Sequence, residues 1–364
     1  MKRYDINIWQ YTGGVTILLL LALVGLNSCI SNKNELDDMP RTIDFQPVIY
    51  SSQSRAGGNS LNTSSNFGVY AWLGLTNVEL NHEVYIDNKE VRYDGTRNVW
   101  AAVSPCYWPG TGFLDFFCYS PYAADPQPKV TVTADYRQNK LVYTDIVADA
   151  STPDYMYSKK TINQNEDTSF GGGVSIIFNH ALAMVRVSMR MNMVNDGKGT
   201  TWKVKLNKFG ISGVTNKGGV ELYLNDNKEN WIKPIPAVWN EAPGAKEDWN
   251  LLPTQEKQLI ETVEPLILKE AYVIPQALEP EMMIDIEYQL KATKGGKTTT
   301  ENKSVKMPLN SIRSAEGPIV RWEMNKVISY NVVINPPSDL KPLQFSPNVD
   351  EWIGQNSGVE VNPK

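Results

Sequence analysis

Histidine and cysteine are almost missing: the 364 residues hold two His and three Cys. His82 and His180 lie far apart, and no Cys/His cluster has metal-ligand spacing, so neither a metal site nor a cofactor is expected. Basic residues gather into no stripe and the formal charge is −5, which leaves no footprint for nucleic acid. No nucleophile elbow and no Ser/His/Asp set stands out, so no catalytic residue is assigned and an enzyme is not expected. Asp285 and Glu287 come nearest, but two acids two apart on a strand share a face, as solvated strand faces often arrange them. His180 sits in a strand-like apolar context, the setting of a satisfied structural histidine.

Long apolar runs are equally scarce, and the one present decides the compartment. Lys2 and Arg3 precede the run from Val15 to Val24, which is too short to span a bilayer and ends in Leu26-Asn27-Ser28-Cys29. This stretch reads as an export signal ending in a lipobox. Its resemblance to bacterial lipoprotein signals implies that Cys29 is diacylated, that residues 1–28 are removed, and that the outer membrane holds the chain through lipid. An uncleaved anchor helix is the other reading, and either one puts the remaining chain outside the cytoplasm. Losing Lys2, Arg3 and Asp5 moves the charge from −5 to −6. Cys106 and Cys118 then remain as thiols; their spacing allows a disulfide, but the apolar run Phe113–Tyr119 around Cys118 favours burial without one.

What the chain does have is short strands. Residues 30–40 form a polar tether. Thr42–Tyr50 alternates Ile43 and Phe45 with Asp44 and Gln46, and Pro47 marks it as an edge or bulged strand. Residues 51–60 (Ser51 to Ser60) follow as a small, polar loop with Arg55 in the middle, open to nicking. Further strands are expected at Phe67–Leu73, Val84–Ile86, Val99–Val103, Phe113–Tyr119, Val130–Thr133 and Leu141–Ile146, separated by Gly and Pro turns. With no amphipathic helix of three turns, the first half is all-β or nearly so.

Val185, Val187, Met189 and Met191 alternate strictly with polar residues, as do Trp202–Leu206 and Ile284–Leu290, so each has one face in a core and one in water. The length favours two domains. The divisions are 29–58 for the tether and first strand, 59–190 and 191–338 for the two bodies, and 339–364 for a tail. Trp231–Pro253, with three Trp and four Pro, reads as a long loop. Trp231, Trp239 and Trp249 are the residues a lipid-anchored glycan-binding protein would stack on sugar rings, although Trp also fills cores. After Val327–Ile334 should close the last domain, Leu343, Phe345, Pro347 and Val349 still alternate with polar residues and lead to Trp352.

Several segments together resemble the fimbrillin family of type V pilins. They are the lipobox, Ser54-Arg55-Ala56, Phe67-Gly68-Val69-Tyr70-Ala71, Tyr107-Trp108-Pro109, Phe178-Asn179-His180-Ala181-Leu182-Ala183 and Tyr272-Val273-Ile274-Pro275-Gln276. The resemblance implies two tandem antiparallel β-sandwich, transthyretin-like domains with exchangeable terminal strands. It implies that a trypsin-like, Arg-specific protease cuts Arg55–Ala56, that the strand carrying Ile43, Phe45 and Ile49 is released, and that the donor strand carries Leu343, Phe345, Val349 and Trp352. Implied partners are other pilin copies and a host or bacterial surface ligand. An unprocessed, lipid-anchored pilus anchor is the alternative within the family. Burial of Ile43, Phe45, Ile49 and one of Val48 or Tyr50, at ~1.5–3 kcal/mol each, makes the first strand costly to lose.

Overall fold

The computed structural model describes residues 41–49, 59–74, 83–123, 131–135, 138, 140–149, 151–158, 161–166, 173–192, 199–223, 237–242, 244–253, 259–260, 265–336 and 343–351. The expected signal, the tether at 30–40, the Arg55–Ala56 bond, Trp231 and Trp352 lie outside the described residues. From Thr42 onward the chain is one compact unit. It is mainly β: among the described residues the one helical element is a 3-10 turn at Leu309–Ser311.

The described part begins with β1 (Asp44–Ile49), β2 (Asn59–Ser60), β3 (Asn66–Gly74), β4 (Glu83–Asp94), β5 (Val99–Ala102) and β6 (Phe113–Ser120). It then leaves this sheet for β7 (Thr131–Asp135) and β8 (Lys140–Val147), and returns through β9 (Met156–Ser158), β10 (Thr161–Gln164) and β11 (Val174–His180). The spatial order is β6-β3-β4-β5-β1-β11-β9, and β9 pairs with β6 again, so the sheet closes into a ring. Alternation explains its filling. Phe45, Phe67, Val69, Trp100, Phe116, Val174, Ile176 and Phe178 turn inward and form one apolar cluster.

β3 and β6 are buried on both faces, which accounts for their nearly unbroken apolar runs. Tyr70, Trp72, Phe117 and Tyr119 point away from the ring interior, into a second cluster with Leu141, Tyr143, Val220 and Leu222. The covering sheet has the order β15-β14-β8-β7, with β14 (Lys217–Tyr223) and β15 (Ala237–Glu241) supplied from beyond residue 200. Strands from both sides of the expected 190/191 division therefore share one sheet.

A third cluster lies between two further sheets. One has the order β18-β12-β25-β26, from β12 (Ala183–Met191), β18 (Leu266–Val273), β25 (Lys326–Ile334) and β26 (Leu343–Glu351). The other contains β13 (Thr201–Thr215), β16 (Lys246–Asn250), β17 (Leu259–Ile260), β20 (Met283–Lys294) and β21 (Lys297–Pro308). Two short ladders complete this half: β19 (Gln276–Ala277) with β24 (Arg321–Trp322), and β22 (Arg313–Ser314) with β23 (Gly317–Pro318). Most neighbours are antiparallel, but β1–β11 and β12–β25 run parallel.

The segments at 178–183 and 272–276 form the joint between clusters. Ala181, Leu182 and Ile274 belong to the second cluster, Ala183 and Val273 to the third. Gln276, buried, accepts from the Thr215 N–H at 2.9 Å and donates to the Thr215 and Ile274 carbonyls at 3.0 and 2.9 Å. A buried amide this fully bonded fixes the corner where β13 meets the turn after β18.

Two sequence expectations change. Val84–Ile86 is the start of a twelve-residue strand, because β4 pairs on both sides within the ring and needs few inward apolar residues. The Trp231–Pro253 stretch contains β15 and β16. Pro253 lies beyond the end of β16, outside the ladder, as a residue without an N–H to donate should.

Candidate functional site

The first strand is an internal stave of the ring and not an edge. On one side β1 runs parallel to β11, from Phe45 opposite Val174 to Ile49 opposite Phe178. On the other side it meets two partners in turn: β5 at Asp44 and Phe45, then β2 at Val48 and Ile49. Gln46 and Pro47 fall in the gap between those partners. A proline, which cannot donate to a ladder, is thus accommodated inside a sheet.

Ile43, Phe45 and Ile49 are 1, 2 and 4% exposed, and Pro47 is the fourth buried side chain of the strand. Val48 is half-buried, since alternation turns it to the opposite face from Ile49; Tyr50 lies outside the described residues. The Phe45 ring meets Phe67 at 5.8 Å and Phe116 at 5.9 Å, both edge-on. The strand is fixed at its entry as well, where the Ile43 N–H donates to the Cys106 carbonyl at 2.8 Å. Arg97 lies 3.4 Å from the Asp44 carboxylate and 2.8 Å from that of Asp94; hydrogen bonding from Arg97 holds the Asp94 carboxyl below its usual range. Gly173, at φ +84°, permits the close approach of β11: a Cβ there would stand 2.7 Å from the Asp44 carbonyl oxygen.

The connection that carries Arg55 and Ala56 has its ends defined. Ile49 pairs with Asn59, so residues 50–58 bridge two directly opposed positions. Cutting anywhere in that bridge leaves β1 held by noncovalent contacts alone, while β2 remains with the body.

The last strand is placed differently. β26 pairs antiparallel with β25 from Leu343 opposite Ile334 to Glu351 opposite Lys326, and it is the outer strand of its sheet. Phe345 and Val349 pack against the third cluster but are only partly buried. The predicted released and donor residues are therefore not brought together: one set lines the ring, the other caps a separate sheet.

Asp285 and Glu287 share Lys208, at 2.6 and 3.9 Å. His180 is fully buried, with Nδ1 2.8 Å from the Asp154 carboxylate. Trp249 is 7% exposed and stacks on Trp322 at 5.8 Å, so it presents no ring face to a sugar. Trp239 is half-buried beside the second cluster. Cys118 is buried and Cys106 half-buried, both as free thiols. Burial pushes both thiols up from the ordinary value, which disfavours the thiolate.

Compared with known families, residues 54–352 match the model of the fimbrillin-like family. The chain belongs to that family. Among solved structures, this fimbrillin-like chain is similar to a fimbrial protein from Bacteroides vulgatus ATCC 8482, with a TM-score of 0.57, 16% identity, and coverage of 85% of this chain and 99% of that one. At that identity the likeness is one of fold. A putative cell adhesion protein from Parabacteroides distasonis ATCC 8503 aligns over 85% of this chain and 97% of its own at 14% identity and a TM-score of 0.48. A search of curated proteins returned no match. Sequence reasoning named the two terminal strands but took Pro47 for the mark of an edge or bulge, and missed Gly173 and β2 as parts of the site.

Proposed function

We propose that this fimbrillin-like protein is a non-catalytic fimbrial subunit of the cell surface, exported as a lipoprotein and polymerised by strand exchange. The observation that carries the reading is that β1 is an internal stave with a buried inward face, whose covalent link to the body is the bridge at 50–58. Cleavage at Arg55–Ala56 by an Arg-specific protease frees the strand together with the lipid at Cys29. Ile43, Phe45 and Ile49 represent about 4–9 kcal/mol of burial, so an opened ring demands a replacement. The tail, an outer strand with one paired side, supplies it to the next subunit. Such head-to-tail addition is heterologous and gives an open filament. Adhesion to a host or bacterial surface is the use such a filament serves.

The test is limited trypsin treatment of the mature lipoprotein, followed by intact mass, N-terminal sequencing and native sizing. A new start at Ala56 with a ladder of oligomers is expected, and Arg55→Ala should abolish both. A chain that keeps its lipidated Cys29 and stays monomeric would make it an anchor instead.

A further inference from the structure

The tail repeats the first strand. Ile43-Asp44-Phe45-Gln46-Pro47-Val48-Ile49 and Leu343-Gln344-Phe345-Ser346-Pro347-Asn348-Val349 share one pattern: branched aliphatic, Phe, Pro and branched aliphatic at alternate positions. In β1 these alternate positions are the four buried side chains. In β26, Phe345, Pro347 and Val349 are the half-buried ones, with Ser346 and Asn348 exposed between them. The match thus holds for the inward face and fails on the outward face, where Asp44, Gln46 and Val48 become Gln344, Ser346 and Asn348.

We infer that a second copy's Leu343–Val349 enters the vacated ring position in the direction and register of β1, parallel to β11, with Leu343, Phe345, Pro347 and Val349 in the places of Ile43, Phe45, Pro47 and Ile49. This rests on the strand-exchange reading above and adds the register to it. The pattern is not symmetrical end to end. Reversed entry would put Pro347 into the site between Phe67 and Phe116 and press Phe345 into the place of Pro47. A shift by two residues also displaces the proline. The gap opposite Gln46 and Pro47, between β5 and β2, is where a missing N–H costs least. Register is strongly specified wherever one face of a strand is buried, and here a proline pins it further. The outward changes have a consequence too: Gln344 brings no carboxylate to Arg97, which faces Asp44 before exchange.

Cysteine pairs read the register directly. Gln46 lies opposite Ser175, and Gln46, Ser175 and Ser346 are all exposed, so single cysteines there should not disturb folding. In unprocessed protein, Gln46→Cys with Ser175→Cys should give an intramolecular disulfide, which calibrates the geometry. Trypsin-treated mixtures of Ser175→Cys and Ser346→Cys chains should give an intersubunit link, mapped by mass spectrometry, and Ile177→Cys with Ser346→Cys should give none. Filaments that link Ser346 to position 177, or fail to link it to 175, would overturn the register and leave strand exchange standing. Failure of the wild-type chain to form oligomers after cleavage would overturn the exchange reading and this inference with it.

Discussion

The first and last described strands have nearly the same inward residues and opposite situations. β1 is paired on both sides and its inward Phe45 and Ile49 are 2 and 4% exposed; β26 is paired on one side among the described residues, and Phe345 and Val349 are only half-buried. The same chemistry is therefore held strongly in one place and weakly in the other. Burial scales with area removed from water, so a tail that peels from β25 and enters a vacated ring position gains what it lacked at home. Removal of β1 is costly, and detachment of β26 is cheap. In the proposed exchange that asymmetry would set the direction.

The sharpest way to break the comparison is to truncate the matched aromatics. Phe45→Ala should cost about 3–5 kcal/mol in the unprocessed chain, because it empties a site shared with Phe67 and Phe116. Phe345→Ala should cost no more than about 1–2 kcal/mol there. Urea unfolding checks both, and equal costs would remove the asymmetry. After cleavage the order inverts: Phe345→Ala should abolish filaments, seen by electron microscopy.

Deleting residues 341–364 should lower the melting point by only a few degrees, since it strips an outer strand, while eliminating extension after trypsin. A deletion that unfolds the protein would show β26 to be integral to its own sheet.

Alkaline titration probes both regions at once. Burial pushes Tyr119, beside the ring, and Tyr288, in the third cluster, up to about 12, and raises Tyr143 well above the usual tyrosine value. Each folded value lies above the unfolded value near 10, so the contribution is complete below pH about 10 and is lost as pH rises through 12. The share of tyrosinate absorbance that comes from these buried rings should therefore appear together with loss of the far-UV circular dichroism of the strands, and not before it.

The smallest effect should come from Arg97→Ala. The ion pair with Asp44 spans 3.4 Å between partly exposed side chains, and pairs of this kind contribute little. No measurable change in the urea midpoint is expected, which would assign the retention of β1 to its apolar face.

Much of this was legible in alternation. Val185–Met191, Ile284–Leu290 and Leu343–Val349 read as strands because one face is apolar, and they are. The role of β1 as a stave was hidden, because Pro47 argues for an edge unless the neighbouring strand changes at that residue, and the change depends on where β2 and β5 end. The polar half of β4 was hidden for the complementary reason: long-range pairing on both sides makes a strand of residues with little local preference for one. The likeness of residues 43–49 and 343–349 stood in the sequence throughout, but it acquires meaning only when both inward faces are known.

The two parallel pairings have a mechanical consequence. β11 passes through Ala181 and Leu182 directly into β12, and β12 lies parallel to β25, the strand that leads to the tail. In a filament assembled as proposed, a pull on the tail loads β25 against β12 in shear, continues along β11, and reaches the donated strand of the next subunit in shear again. Shear shares the force among all the ladder bonds of a parallel pair, whereas peeling breaks them one by one. The chain thus presents its weak direction to assembly and its strong direction to tension.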